Sequence, residues 1–141
     1  MIIREPYVSG QFYPDDKEKL LSIIKKSFLD NKFGPGELPN KEIHNRKLIG
    51  IVSPHAGYQY SGSIAANGYF EISKEIKPEI IVIIGPNHNG IGSEVSCYPD
   101  GYWRTPLGKV KVDTSFFKDI NDDMPSLCTN NAITRLTAFC T

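Results

Sequence analysis

The sequence predicts an α/β fold in which a mostly parallel sheet is flanked by helices. Two runs rich in β-branched residues, 47–53 and 79–85, are typical of buried strands. Residues 61–73 lie between them and carry apolar residues at helical spacing. Strand, helix and strand in this order form a right-handed crossover unit. A chain of 141 residues is long enough to bury the core of one such domain.

The first element is a helix that Asp15 or Asp16 caps and that continues to about Leu29. Its apolar residues recur at helical spacing: Leu20, Leu21, Ile24 and Phe28. Glycines and prolines then predict a surface loop over residues 31–40. We expect residues 47–53 to form the first buried strand, and a serine to cap the helix at 61–73, which Pro78 ends. The run at 79–85 predicts a central parallel strand covered on both faces.

Shorter elements follow residue 92. Alternation at Val110 and Val112 predicts a half-buried strand, and a short helix begins at Asp113 or Thr114. We interpret Trp103 as a packing anchor and Cys97 as a small core residue. The three cysteines are irregularly spaced, which favours reduced thiols over a disulfide framework.

Charge and hydropathy exclude some classes of partner. Lys and Arg number 16, as do Asp and Glu, so the chain lacks the basic excess that favours nucleic acid or an anionic membrane. No apolar run reaches the length of a membrane span, and the first residues do not resemble a signal peptide. We therefore predict a cytoplasmic protein that binds neither nucleic acid nor membrane.

Two histidines follow the two predicted core strands. His55 and His88 come one to four residues beyond the strand ends, where ligand sites of parallel sheets form. Asn87 lies beside the second histidine, where its amide could orient a ligand. Neutral imidazole suits Fe, Zn, Cu and Ni, although two nitrogens do not complete a catalytic site. For either histidine alone, a capping or hydrogen-bonding role is the alternative.

Two tyrosines near the first histidine leave a choice open. Tyr58 and Tyr60 alternate after His55, and they either pack the loop onto the helix or offer phenols to a substrate. His44, in a polar stretch, is interpreted as a surface residue.

Four motifs in order resemble those of the Memo family, also called protein B of the AmmeMemoRadiSam system. They are REPYVSGQFYP at 4–14, PHAGYQYSG at 54–62, GPNH at 85–88 and WRTPLGKVKVD at 103–113. The family is similar in fold to class III extradiol ring-cleavage dioxygenases. The resemblance implies a pocket with two histidines, here His55 and His88, and a later third ligand.

The resemblance also implies cofactors, pocket residues and partners. Fe(II) is the metal of the dioxygenase relatives, and copper is the alternative metal for the two histidines. Phe12 and Tyr60 match pocket-lining positions, Tyr60 as the candidate catalytic acid or base; Tyr58 and Asn87 complete the substrate-binding candidates. The implied partners are a small molecule or peptide and, for the system, radical-SAM and AMMECR1-like proteins.

The chain departs from the family after the fourth motif. The expected acidic-histidine motif and third ligand are not present, so we expect the carboxyl-terminal half of the family fold to be missing. Residues 1–125 would then be the amino-terminal part of a Memo-like α/β domain, and residues 126–141 an atypical tail. Two classes of function stay open: a metal-dependent oxidoreductase, impaired in this short form, and a non-catalytic module that binds a peptide or partner.

Overall fold

The computed structural model describes residues 2–40, 45, 47–86, 88, 97–123 and 135–140. The chain divides into two compact units. The first, Tyr7–Lys77, is called the helical unit. The second, called the strand unit, combines Met1–Pro6 with Pro78–Thr141. Helices and strands together confirm the α/β class.

Two helices form the helical unit, α1 (Lys17–Phe28) and α2 (Tyr58–Ser73). Asp16 caps α1 as predicted, because its carboxylate accepts a hydrogen bond from the Lys19 N–H at 2.8 Å. Helix α2 begins three residues before the predicted serine and has no side-chain cap. The Phe12 carbonyl instead accepts the Tyr58 N–H at 2.9 Å, so a backbone group from another segment satisfies the start of α2.

The two helices approach closely at Gly62. A β-carbon there would lie 2.7 Å from Ser27 Oγ on α1, which a real side chain could not do without displacing Ser27. Ser27 is buried and donates to the Ile23 carbonyl at 2.9 Å. Leu20, Ala66 and Phe70 are the buried apolar residues of this helix pair. Small residues at the crossing therefore bring the helix backbones together.

The first buried strand predicted from the sequence does not form. Residues 47–53 have no strand structure, and Ile49 and Val52 are fully exposed. The N–H groups of Lys47 and Leu48 donate to the Glu75 carboxylate at 3.0 and 3.1 Å. A side chain thus takes backbone donors that a neighbouring strand would use, and the described residues of the helical unit contain no strand to pair with this segment. The predicted crossover unit is therefore wrong.

Strands dominate the second unit. Strands β1 (Ile3–Arg4), β3 (Tyr102–Thr105) and β4 (Gly108–Lys111) form one sheet in the order β1-β3-β4. Strand β1 is parallel to β3, and β3 is antiparallel to β4. The sheet is mixed, so the prediction of a mostly parallel sheet is wrong. The two-residue connection between β3 and β4 is too short for the crossover that parallel pairing requires.

The aliphatic run at 79–85 forms a strand, but its predicted surroundings are wrong. Strand β2 (Ile80–Gly85) pairs antiparallel with β5 (Arg135–Cys140), and Ile80 is opposite Cys140. Its five aliphatic side chains are 38–78% exposed, so neither face is covered as expected for a central strand. Branched side chains favour extended backbone, but they do not determine the direction of the neighbouring strand or what covers the faces.

The core of the strand unit includes Val112, which follows β4, and Phe117 of helix α3 (Thr114–Asp123). Cys97, Val112 and Phe117 are buried there, and Tyr98, Trp103 and Phe116 pack against them. The predictions for Cys97 and Trp103 are confirmed. Strand β4 forms, but all four of its residues are exposed, so the half-buried strand predicted from Val110 and Val112 is confirmed only at Val112. The start of α3 is also confirmed, since Asp113 Oδ1 accepts from the Phe116 N–H at 2.9 Å.

Gly101 allows β1 and β3 to come together at the edge of this core. Its φ of 99° lies in the left-handed region, and a β-carbon there would lie 2.5 Å from the Ile2 carbonyl oxygen. The next residue, Tyr102, donates its N–H to that same oxygen at 3.0 Å.

No helix among the described residues has both the length and the apolar character needed to cross a membrane.

Val112 and Val110 provide a matched test of the strand-unit core. Val112 is 0% exposed and Val110 is 36% exposed. We expect Val112→Ala to lower the free energy of unfolding by roughly 2 kcal/mol, because it removes buried methyl groups and leaves a cavity. Val110→Ala, the same change two residues earlier, should cost less than about 1 kcal/mol. Urea unfolding measures both; equal losses would contradict the assignment of the core.

Candidate functional site

The helical unit contains a cavity of about 620 Å³ beside the start of α2. Four segments enclose it: the turn after β1, helix α1, the chain that leads into α2, and α2 itself. Its lining is mainly apolar. The lining residues are Val8, Phe12, Tyr13, Ile24, Ser27, Phe28, Ser53, Pro54, His55, Ala56, Tyr58, Ser61, Gly62, Ala65, Ala66 and Tyr69.

Backbone hydrogen bonds fix the first of these segments. The Phe12 N–H donates to the Val8 carbonyl at 3.0 Å, and the Gly10 N–H donates to the Tyr13 carbonyl at 2.8 Å. The resulting turn presents the Phe12 carbonyl to the Tyr58 N–H. The first and second sequence motifs are thereby joined at the wall of the cavity.

Tyrosine side chains give the cavity its polar character. The rings of Tyr13 and Tyr58 lie 5.7 Å apart at 49°. Burial raises the pKa of the Tyr58 phenol above its ordinary value, and the neighbouring Tyr69 and Tyr13 raise it further. Burial also raises the pKa of Tyr13, although a hydrogen bond with Ser9 acts in the opposite direction. Both phenols therefore stay protonated at neutral pH and can donate hydrogen bonds.

The structure brings three of the predicted site residues together. Phe12, His55 and Tyr58 all line the cavity. Tyr60 does not line it, and its side chain is 79% exposed on the first turn of α2. Its proposed role as a catalytic acid or base stays a prediction.

The second histidine motif lies in the other unit. His88 belongs to the strand unit, directly after β2, whereas His55 belongs to the helical unit. Asn87 and His44 lie outside the described residues. The convergence of the two imidazoles therefore stays a prediction, as does the role of Asn87.

A complete metal-ligand set is not found in the part of the chain that the structure describes. No three His, Cys, Asp or Glu side chains of that part are grouped closely enough to hold a metal ion. These residues do not fit the three-ligand centre that the family resemblance implies, and we derive no catalytic step through a metal.

Sequence reasoning missed several residues that form the cavity. Tyr69 lies eleven residues after Tyr58, about three helical turns, so both side chains project from the same face of α2. Ile24 and Phe28 were interpreted only as the apolar face of α1, and that face closes the cavity. Helical spacing counted from Tyr58 could have identified Tyr69, but contact between the two helices has no local signal.

Comparison with known proteins places the sequence among Memo-like proteins. Residues 4–135 match the family model described as Memo-like protein. A MEMO1 family protein of Thermotoga neapolitana is 51% identical over 113 residues, which cover 79% of this chain and 41% of the relative. One of Methanobrevibacter smithii is 50% identical over 117 residues, covering 82% and 41%. A third, of Ignicoccus hospitalis, is 46% identical over 121 residues, covering 85% and 42%.

The chain spans about two fifths of the length of the curated relatives that it matches. The family match reaches residue 135 and so enters the segment predicted to be atypical. The division into residues 1–125 and a tail stays a prediction.

The raised pKa of Tyr58 predicts a loss of stability at alkaline pH. In the unfolded chain the phenol ionises near its ordinary pKa of 10.0, whereas in the folded chain it keeps its proton to higher pH. The unfolded state then binds fewer protons, so the free energy of unfolding falls as pH rises through and above about 10. Tyr58→Phe should make this fall shallower.

Urea unfolding from about pH 8 to about pH 11, with ultraviolet absorbance of tyrosinate, measures the effect. Tyr60→Phe removes an exposed phenol from the same helical turn and serves as the control. Identical pH profiles for Tyr58→Phe and the unmodified chain would show that burial of this phenol contributes nothing.

Proposed function

The chain belongs to the Memo-like protein family, and from that membership and the cavity of the helical unit we propose that it binds a small molecule beside His55. One observation carries the proposal. Phe12, His55 and Tyr58, which come from the first two family motifs, line a single cavity. Its volume of about 620 Å³ falls within the range of roughly 300–1,000 Å³ that is usual for ligand pockets.

The chemistry of the lining is suited to binding. Phe12 offers an apolar face, the phenol of Tyr58 offers a hydrogen-bond donor, and the imidazole of His55 can donate or accept. Tyr58 is 38% exposed and His55 is also exposed, so the cavity opens to solvent and a ligand has a route in. A mainly apolar pocket with a few polar groups that fix orientation is the usual form of a small-molecule site.

The proposal extends to a binding role without catalytic turnover and to the partners that the family resemblance implies. A binding role without turnover agrees with a cavity that holds one histidine and no acidic residue among its described lining. A peptide ligand, and radical-SAM and AMMECR1-like partners, are the interactions that the family resemblance adds to this proposal. Cytoplasmic localisation stays a prediction.

A metal-dependent oxidoreductase related to the extradiol dioxygenases is the second candidate. The observation in its favour is that His55, the first predicted ligand, lines the cavity rather than packing into the core. The third ligand is the missing part of this proposal, because the described residues do not gather three suitable side chains.

Filling the cavity tests the binding proposal. Ala65 lines the cavity, whereas its neighbour Ile64 does not and is 50% exposed. We expect Ala65→Phe to weaken binding of aromatic fragments by about tenfold or more, or about 1.4 kcal/mol, because the new ring occupies their space. Ile64→Phe should leave binding unchanged.

Titration of a mixed set of neutral, anionic and cationic aromatic fragments, followed by amide chemical shifts, gives the affinities. Shift changes should concentrate at the cavity residues. Binding that is equal in the Ala65→Phe and Ile64→Phe variants would place the ligand elsewhere.

Metal titration tests the second candidate. With an incomplete ligand set, we expect less than one equivalent of Fe(II) or copper to bind at neutral pH, and His55→Ala to remove that residual binding. The variant should keep its stability, since loop residues at such positions carry few core contacts. Anaerobic calorimetry and elemental analysis measure stoichiometry. Tight binding of a full equivalent that His55→Ala abolishes would instead establish a complete centre.

A further inference from the structure

We propose that the cavity of the helical unit selects a neutral aromatic molecule over its anionic counterpart. The inference rests on the proposed function, since it names the class of ligand for the same cavity. It follows from the charge of the lining, from the hydrogen bonding at the start of α2, and from the shape of the aromatic wall.

The lining offers an anion no permanent positive charge. Among the described residues that line the cavity there is no Lys, Arg, Asp or Glu. A carboxylate or phosphate moved against apolar walls loses hydration without gaining a paired charge, which costs free energy.

The start of α2 does not compensate for the absent cation. Helix N-termini bind anions through backbone N–H groups that have no partner within the helix. Here Tyr58 donates its N–H to the Phe12 carbonyl at 2.9 Å. Tyr60 and Ser61 donate theirs to the Gly57 carbonyl at 2.9 and 3.2 Å. Three of the first four N–H groups of α2 are therefore already bonded.

Two of the three serine hydroxyls at the cavity are also directed to the backbone. Ser61 Oγ donates to the Ala56 carbonyl at 3.1 Å, and Ser27 Oγ donates to the Ile23 carbonyl at 2.9 Å. Each hydroxyl has one proton to donate, so neither adds a donor for an anion. Their remaining lone pairs are acceptors, which favour a ligand that carries a hydroxyl or amide hydrogen.

Aromatic side chains shape the rest of the wall. The rings of Tyr13 and Tyr58 lie 5.7 Å apart, within the range of favourable ring contacts, and Phe12 and Phe28 also line the cavity. A flat apolar ring can pack against these faces while one polar group meets a phenol. The preferred ligand is therefore a neutral aromatic compound with one hydrogen-bonding substituent.

Two probes that share a ring system test the selectivity. At about pH 7.5, 2-naphthol is neutral and 2-naphthoate is an anion. We expect the full chain to bind naphthol at least about tenfold more tightly, and Ala65→Phe to weaken that binding. Equal or tighter binding of naphthoate would overturn the selectivity and leave the proposed function standing. Failure of both probes to bind would overturn the proposed function as well.

Adding one cation to the lining gives the converse test. Ser53 lines the cavity, so Ser53→Lys should raise the affinity for naphthoate relative to that for naphthol by about tenfold. Ile64→Lys places the same charge on the exposed face of α2 and should change neither affinity. An equal gain in both lysine variants would show that naphthoate responds to net charge rather than to the cavity, and would count against the inference.

Discussion

The helical unit depends on one backbone hydrogen bond, from the Tyr58 N–H to the Phe12 carbonyl. This bond satisfies the first donor of α2 and ties the opening turn of the chain to a segment more than forty residues later. Together with the contact between the Tyr13 and Tyr58 rings, it holds Phe12 and Tyr58 at the same wall. The two motifs that carry the family resemblance thus meet through main-chain atoms, and their side chains are left to form the cavity.

A second constraint is the way in which the cavity satisfies its own polar groups. The hydroxyls of Ser27 and Ser61 and several N–H groups around it bond to nearby carbonyls, so the phenols contribute most of its polar character. Unpaired polar groups in such a place would be costly. The imidazole and the phenols among the described lining residues suit hydrogen bonding to a ligand.

Local sequence signals predicted local structure well. The cap at Asp16, the start of α3 after Asp113 and the burial of Val112 each depend on a few neighbouring residues, and the structure confirms all three. Signals that depend on distant partners failed. Residues 47–53 include four aliphatic side chains, but the Glu75 carboxylate takes two of the segment's backbone donors. Strand β2 forms where expected. Its own residues did not indicate that β5 would be its neighbour or that its side chains would be exposed.

The candidate site divides in the same way. Motif residues identified Phe12, His55 and Tyr58, whereas contact between helices added Tyr13, Tyr69 and the face of α1. That contact depends on Gly62, where any side chain would meet Ser27 Oγ. Gly62 also borders the cavity. The residue at this position therefore determines both the distance between the two helices and the depth of the cavity. An alanine or serine at this position would push the two helices apart. Homologous proteins could in this way change the size of the ligand that fits without changing any group that binds it.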